Sequence, residues 1–161
     1  MSLAEWLAAF RQLHERARRG QLSPRDQALY RAGRDELARA MLAAQHLTLR
    51  PGEIARRALR VARALQIDLD FATWRERAVT LDVSAGGFSC LLSRAPQIGD
   101  EAKFSMRMPA AEPLAGAARV NDVKPHAGNV RVSFAFLALD EAQRERVELF
   151  VFDAVLAALV Q

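Results

Sequence analysis

Residues Arg56 to Phe71 read RRALRVARALQIDLDF, and the hydrophobic period of the chain changes inside them. From Leu65 onward, apolar residues occupy every second position, Leu65, Ile67, Leu69 and Phe71, separated by Gln66, Asp68 and Asp70. A spacing of two places one side-chain set on each face of a half-buried strand, whereas a spacing near 3.6 builds one face of a helix. Four arginines, Arg56, Arg57, Arg60 and Arg63, are loaded onto the threshold of that strand.

N-terminal to this stretch the period is helical. Ser2 with Glu5 forms a capping box, followed by Leu3, Trp6, Leu7, Phe10 and Leu13 at helical spacing as far as Gly20. Ser23 followed by Pro24 is an N-cap with proline in the first turn, and Tyr30, Leu37, Met41 and Ala44 mark one face of a second helix to about His46. The RPG at Arg50 to Gly52 then breaks the helical run.

C-terminal to it the period stays near two. Val79, Leu81 and Val83 alternate with Thr80 and Asp82; SAGG (Ser84 to Gly87) is a turn; Phe88, Cys90 and Leu92 follow. Ala102, Phe104, Met106 and Met108 make a fourth strand, Ala118 and Val120 a weaker fifth, and Val130, Val132, Phe134 and Phe136 a strong sixth. Six short strands between Gly, Pro and Asn turns predict an antiparallel sheet closing into a small barrel. Asp140 with Gln143 opens a last helix, in which Phe152, Leu156 and Val160 extend the apolar surface around most of the circumference, so the N-terminal helices or another subunit must cover it. The expected fold is mainly β with flanking helices, divided into an N-terminal helical segment, 1–49, and a six-stranded antiparallel barrel with a C-terminal helix, 50–161.

Composition narrows the function classes. A chain of 161 residues that is 51% hydrophobic can bury a core and is not of the disordered type. A single cysteine, Cys90, excludes an internal disulfide framework and points to a reducing compartment. Without a secretory-signal pattern or an uninterrupted spanning stretch, the expectation is a cytoplasmic protein with no membrane insertion. Positive charge is concentrated early: residues 1–63 hold 13 arginines against six carboxylates, while the remainder is net acidic. An anionic partner fits that distribution, as does a solvated basic helix face. Nucleic acid is disfavoured because Glu5, Glu15, Asp26, Asp35 and Glu36 interrupt the basic faces, and no DNA binding is expected. His14, His46 and His126 lack metal-ligand spacing and read as surface or partner-contact residues; no cofactor or metal is expected.

Two patterns flank the first strand: RRALR (Arg56 to Arg60), an R-x-x-x-R, and DVSAGG (Asp82 to Gly87), a D-x-S-x-x-G where a strand enters a turn. Each alone is weak, but their order, separation and strand context are specific. Together with PQIGDEAKFSMRM and VRVSFAFLAL, they make residues 50–145 resemble the PilZ domain family, six-stranded barrels that bind the bacterial second messenger cyclic di-GMP. The resemblance implies that Arg56 and Arg60 stand at the family's two arginine positions, and Asp82, Ser84 and Gly87 at the fixed positions of its second motif. Ser133 departs from the glycine that many relatives carry, a difference expected to bear on barrel packing.

The residue types suit the ligand. Guanidinium groups bond bidentately to phosphate or to a guanine edge and stack on bases. Asp82 can accept from guanine N1–H and its amino group, and Ser84 adds a hydroxyl. Gly87, with Gly86, removes side chains where the backbone turns tightly or approaches a ligand. Arg57 reads as a further phosphate contact and Arg63 as pointing outward. No nucleophile elbow or Walker loop is present, so the expectation is a non-enzymatic cyclic di-GMP receptor that turns binding into a conformational or interaction change regulating motility or surface behaviour. The alternative is a PilZ-type interaction adaptor that binds no nucleotide. In either case a protein partner or a homodimer would engage the N-terminal and C-terminal helices.

Overall fold

The computed structural model describes residues 1–47 and 58–159, with two compact units: residues 1–59 with 148–161, and residues 60–147. The residues of the C-terminal helix from Glu148 onward belong to the first of these units.

In the helical unit, α1 (Leu3–Arg18) begins at the expected capping box: Ser2 Oγ accepts from the Glu5 amide at 3.2 Å, and the Glu5 carboxylate accepts from the Ser2 amide at 2.7 Å. Helix α2 (Pro24–Leu47) is capped by Ser23, whose hydroxyl accepts from the Asp26 amide at 3.2 Å. Trp6 and Phe10 stack at 5.3 Å between centroids, and Phe10 stacks on Tyr30 at 5.4 Å, so the aromatic stripe of α1 is core. The C-terminal helix α3 (Glu141–Ala158) contributes buried Phe152, Val155 and Leu156.

His14 differs from its surface reading. It is buried, with Nδ1 2.6 Å from the Tyr30 hydroxyl of α2 and Nε2 3.3 Å from Asp153 of α3. The carboxylate can only accept, so Nε2 carries the proton and Nδ1 accepts from Tyr30. One imidazole thereby joins three helices. Periodicity could not reveal this, because a polar residue on a core face announces no partner. Burial lowers the His14 pKa, outweighing the favourable carboxylate of Asp153.

The second unit is a barrel of strands β1 (Arg60–Val61), β2 (Gln66–Phe71), β3 (Arg75–Ser84), β4 (Gly87–Leu92), β5 (Glu101–Met106), β6 (Leu114–His126) and β7 (Asn129–Leu137). All pairings are antiparallel; the order β3-β2-β5-β6-β7-β4 closes on itself through β3–β4. The six expected strands are the closed barrel, and β1 is an additional short strand on β3. Alternation holds along β2, where Ile67, Leu69 and Phe71 point inward to meet Phe104, Met106, Phe88 and Phe134 in the core. Cys90 is fully buried there, and burial raises its thiol pKa to about 12.

Two strands are longer than their patterns indicate. The first half of β3, Arg75 to Arg77, is charged, yet Arg75 and Arg77 pair across to Asp70 and Asp68 of β2 at 3.4 and 2.9 Å. Strand β6 has 13 residues although it is rich in alanine; β5 and β7 on its two sides supply the pairing that its small side chains do not encode. The β6–β7 hairpin turns on Ala127 and Gly128, at φ 45° and 87°.

An alanine in left-handed conformation is costly and asparagine before glycine is the favoured turn pair, so Ala127→Asn should stabilise the protein by about 1 kcal/mol in urea unfolding. His14 has its folded pKa below its ordinary value of 6.5, so its contribution is fully present above that pH and is lost as pH falls toward the folded value. Unfolding at pH 7.5 and 5.5 should therefore show a loss at acid pH, and His14→Phe should lack that component.

Candidate ligand site on the outer barrel face

Strand β3 carries the second motif at its C-terminal end. A register shift between Thr80 and Asp82 lets Thr80 and Val83 both point inward while Asp82 faces out. The buried Thr80 hydroxyl accepts from the Leu65 amide at 2.8 Å and donates to the Arg63 carbonyl at 2.7 Å, fastening the chain between β1 and β2 onto β3. Immediately before this staple, β1 pairs with β3 in the register Arg60↔Ser84 and Val61↔Val83. The second arginine of the first motif is thus held beside the second motif by main-chain pairing.

The Asp82 side chain is only 14% exposed and lies between two guanidinium groups. Arg131 Nη2 donates to Asp82 Oδ2 at 3.1 Å, and Arg60 Nη1 stands 3.9 Å from Oδ1. Arg131 belongs to β7, two strands from β3 with β4 between, so its side chain reaches across β4. The β4 residue in register with Asp82 is Ser89, which is also in register with Ser133 of β7. A small residue at 89 suits this crossing; its hydroxyl is buried and has no hydrogen-bond partner among the described residues.

The motif residues divide by surroundings. Ser84 is buried, and its hydroxyl accepts from the Gly86 amide at 3.2 Å and lies 3.4 Å from the Gly87 carbonyl, shaping the turn. A Cβ on Gly87 would sit 1.9 Å from the Phe134 carbonyl oxygen, so the β4–β7 approach requires this glycine irrespective of any ligand. Among the described residues, a Cβ on Gly86 would meet only Ser84 Oγ, at 3.9 Å. Arg63 is exposed, as read, with Nη1 on the Ala62 carbonyl. Arg56 and Arg57 lie outside the described residues.

Sequence reasoning missed Arg131, because a single arginine in an alternating strand has no local signal; only the register of β3, β4 and β7 brings it to Asp82. Ser133 alternates with inward Val132 and Phe134 and lies on the same outer face as Arg131, in register with Ser89. Among the described residues no cluster of His, Cys, Asp or Glu could hold a metal ion, and no helix is long and apolar enough to cross a membrane.

A family profile described as PilZ domain matches residues 55–153. No curated protein sequence matches the chain significantly. Among solved structures, the chain is similar to YcgR from Escherichia coli in complex with c-di-GMP, with a TM-score of 0.58, 21% identity, and coverage of 65% of this chain and 47% of that one. It is also similar to the Bacillus subtilis inhibitor of motility MotI/DgrA, with a TM-score of 0.57, 16% identity, and coverage of 65% and 53%. The K. pneumonia MrkH–c-di-GMP complex gives a TM-score of 0.60 at 14% identity, covering 66% and 55%. The chain spans about half the length of these proteins.

The contrast between the two glycines is testable. Gly87→Ala should destabilise the barrel by about 3 kcal/mol or more through the collision with β7. Gly86→Ala should leave the melting temperature nearly unchanged, so any loss of ligand binding in that variant reports on contact at the turn.

Proposed function

The chain belongs to the PilZ domain family, and on that premise we propose that it is a non-catalytic receptor for cyclic di-GMP. The observation that supports this most directly is the in-register pairing of Arg60 with Ser84, which keeps the second arginine of the first motif next to the second motif, with Asp82 beside it. Two phosphodiester anions of the ligand would be met by Arg60 together with Arg56 and Arg57 of the preceding segment. The carboxylate of Asp82 would accept from a guanine N1–H and amino group, while Ser84 holds the turn and Gly86 leaves it open for close approach.

The magnitudes favour a site that can exchange partners. Arg60 is about one-third exposed, and its 3.9 Å pairing with Asp82 contributes at most about 1 kcal/mol. A charge-assisted bond from Arg60 to phosphate would contribute about 1.5–3 kcal/mol, so the ligand can take the guanidinium from the carboxylate. Binding at the segment that leads into β1 would then change what the helical unit can engage, in control of motility or surface behaviour. The protein would act in the cytoplasm through a protein partner or a second copy, without DNA.

The adaptor alternative predicts no response to nucleotide. Cyclic di-GMP at about 100 times its Kd should stabilise the native state by about 2.7 kcal/mol and raise Tm. Arg60→Ala should weaken binding roughly tenfold or more in calorimetry with an unchanged melting temperature of the free protein. An unshifted wild-type Tm across the titration would favour the adaptor, and unaltered binding by an Arg56/Arg60 double alanine variant would refute the site.

A further inference from the structure

We propose that Arg131 is a specificity-determining ligand contact: it donates to guanine O6 while Asp82 accepts from the same base, so that the pair reads guanine against adenine. This rests on the receptor reading above. It adds a residue outside both sequence motifs and assigns it a task different from that of the arginines before β1.

The geometry supports the assignment. Arg131 Nη2 is fixed on Asp82 Oδ2 at 3.1 Å, and the side chain remains 39% exposed. A guanidinium has five N–H donors, and the remaining ones make no hydrogen bond among the described residues. Asp82 keeps acceptor capacity, because two carboxylate oxygens offer about four lone-pair sites and Arg60, at 3.9 Å from Oδ1, is beyond hydrogen-bond distance. The fixed Arg131–Asp82 bond therefore presents acceptor and donor side by side.

Guanine carries the complementary row on its Watson–Crick edge: an amino donor, the N1–H donor and the O6 acceptor. With the two donors on Asp82, O6 lies next to N1, on the side where a donor bonded to the carboxylate can reach it. Adenine reverses the pattern at both positions, with an acceptor at N1 and an amino donor at position 6. It would leave Asp82 without a donor and set two donors against each other at Arg131. A site built to hydrogen-bond a group discriminates strongly against an analogue lacking it, because its own polar groups are left unpaired. Arginine on guanine O6 is a common specific contact.

Calorimetric competition between cyclic di-GMP and cyclic di-AMP provides the test. Wild type should prefer cyclic di-GMP, and Arg131→Ala should weaken cyclic di-GMP binding by about tenfold or more while leaving the weak cyclic di-AMP binding nearly unchanged. Arg131→Lys, which keeps the charge but loses the planar fork, should also narrow the preference. Equal losses for both nucleotides would reduce Arg131 to a general anion contact and overturn the proposal, as would unchanged or tighter cyclic di-GMP binding. Failure of wild type to bind cyclic di-GMP would instead refute the receptor reading itself. Binding weakened by Arg60→Ala but not by Arg131→Ala would refute only this inference.

Discussion

Strand β3 must serve three neighbours at once, and the outer-face site depends on how it does so. Its first half pairs with β2, its second half with β4, and its last two residues also accept β1 on the edge that β2 has left. The change of partner coincides with the register shift at Thr80 and Asp82. Without that extra residue, strict alternation would leave either Thr80 or Val83 outside the core. The bulge keeps both inside and sends the carboxylate of Asp82 outward. The same residue, Thr80, fastens the chain that follows Arg60, so one irregularity orients the acidic and basic parts of the site together.

Polar groups are handled differently in the two units. On the barrel exterior, the charged side chains of the strands remain partly solvated, and the long pairing of Arg60 with Asp82 is weak enough to be exchanged. Among the helices, His14 and Tyr30 are taken out of water and only the Asp153 carboxylate at the end of the chain stays solvated, so satisfied hydrogen bonds define a unique packing and a lost partner is expensive. Arg34 follows the second rule as well: it is buried, with its guanidinium 5.2 Å from the Tyr30 ring and 5.9 Å from that of Phe152.

What could be read from the primary structure was whatever has a local cause. Alternation at Ile67, Leu69 and Phe71, the caps at Ser2, Ser23 and Asp140, and the Ser84–Gly87 turn each arise from neighbouring residues, and each stands in the folded chain. What escaped has a distant cause. Strand β1 is two residues long and exists because β3 offers it a free edge; β6 is extended because strands on both sides demand it; Arg131 meets Asp82 across an intervening strand. Gly87 was legible as an obligatory glycine, but the collision it avoids is with the Phe134 carbonyl, on a strand more than forty residues away.

The sole sulfhydryl of the chain sits at the centre of the barrel with its proton held to about pH 12. Only the thiolate attacks disulfides and alkylating reagents, so the native state shields Cys90 twice, by sterics and by ionisation. Reaction must await an excursion that opens the strands and restores an ordinary acidity. The labelling rate of the unmodified protein by a thiol reagent is therefore an intrinsic clock for breathing of the β-structure, requiring no introduced cysteine and disturbing no surface group.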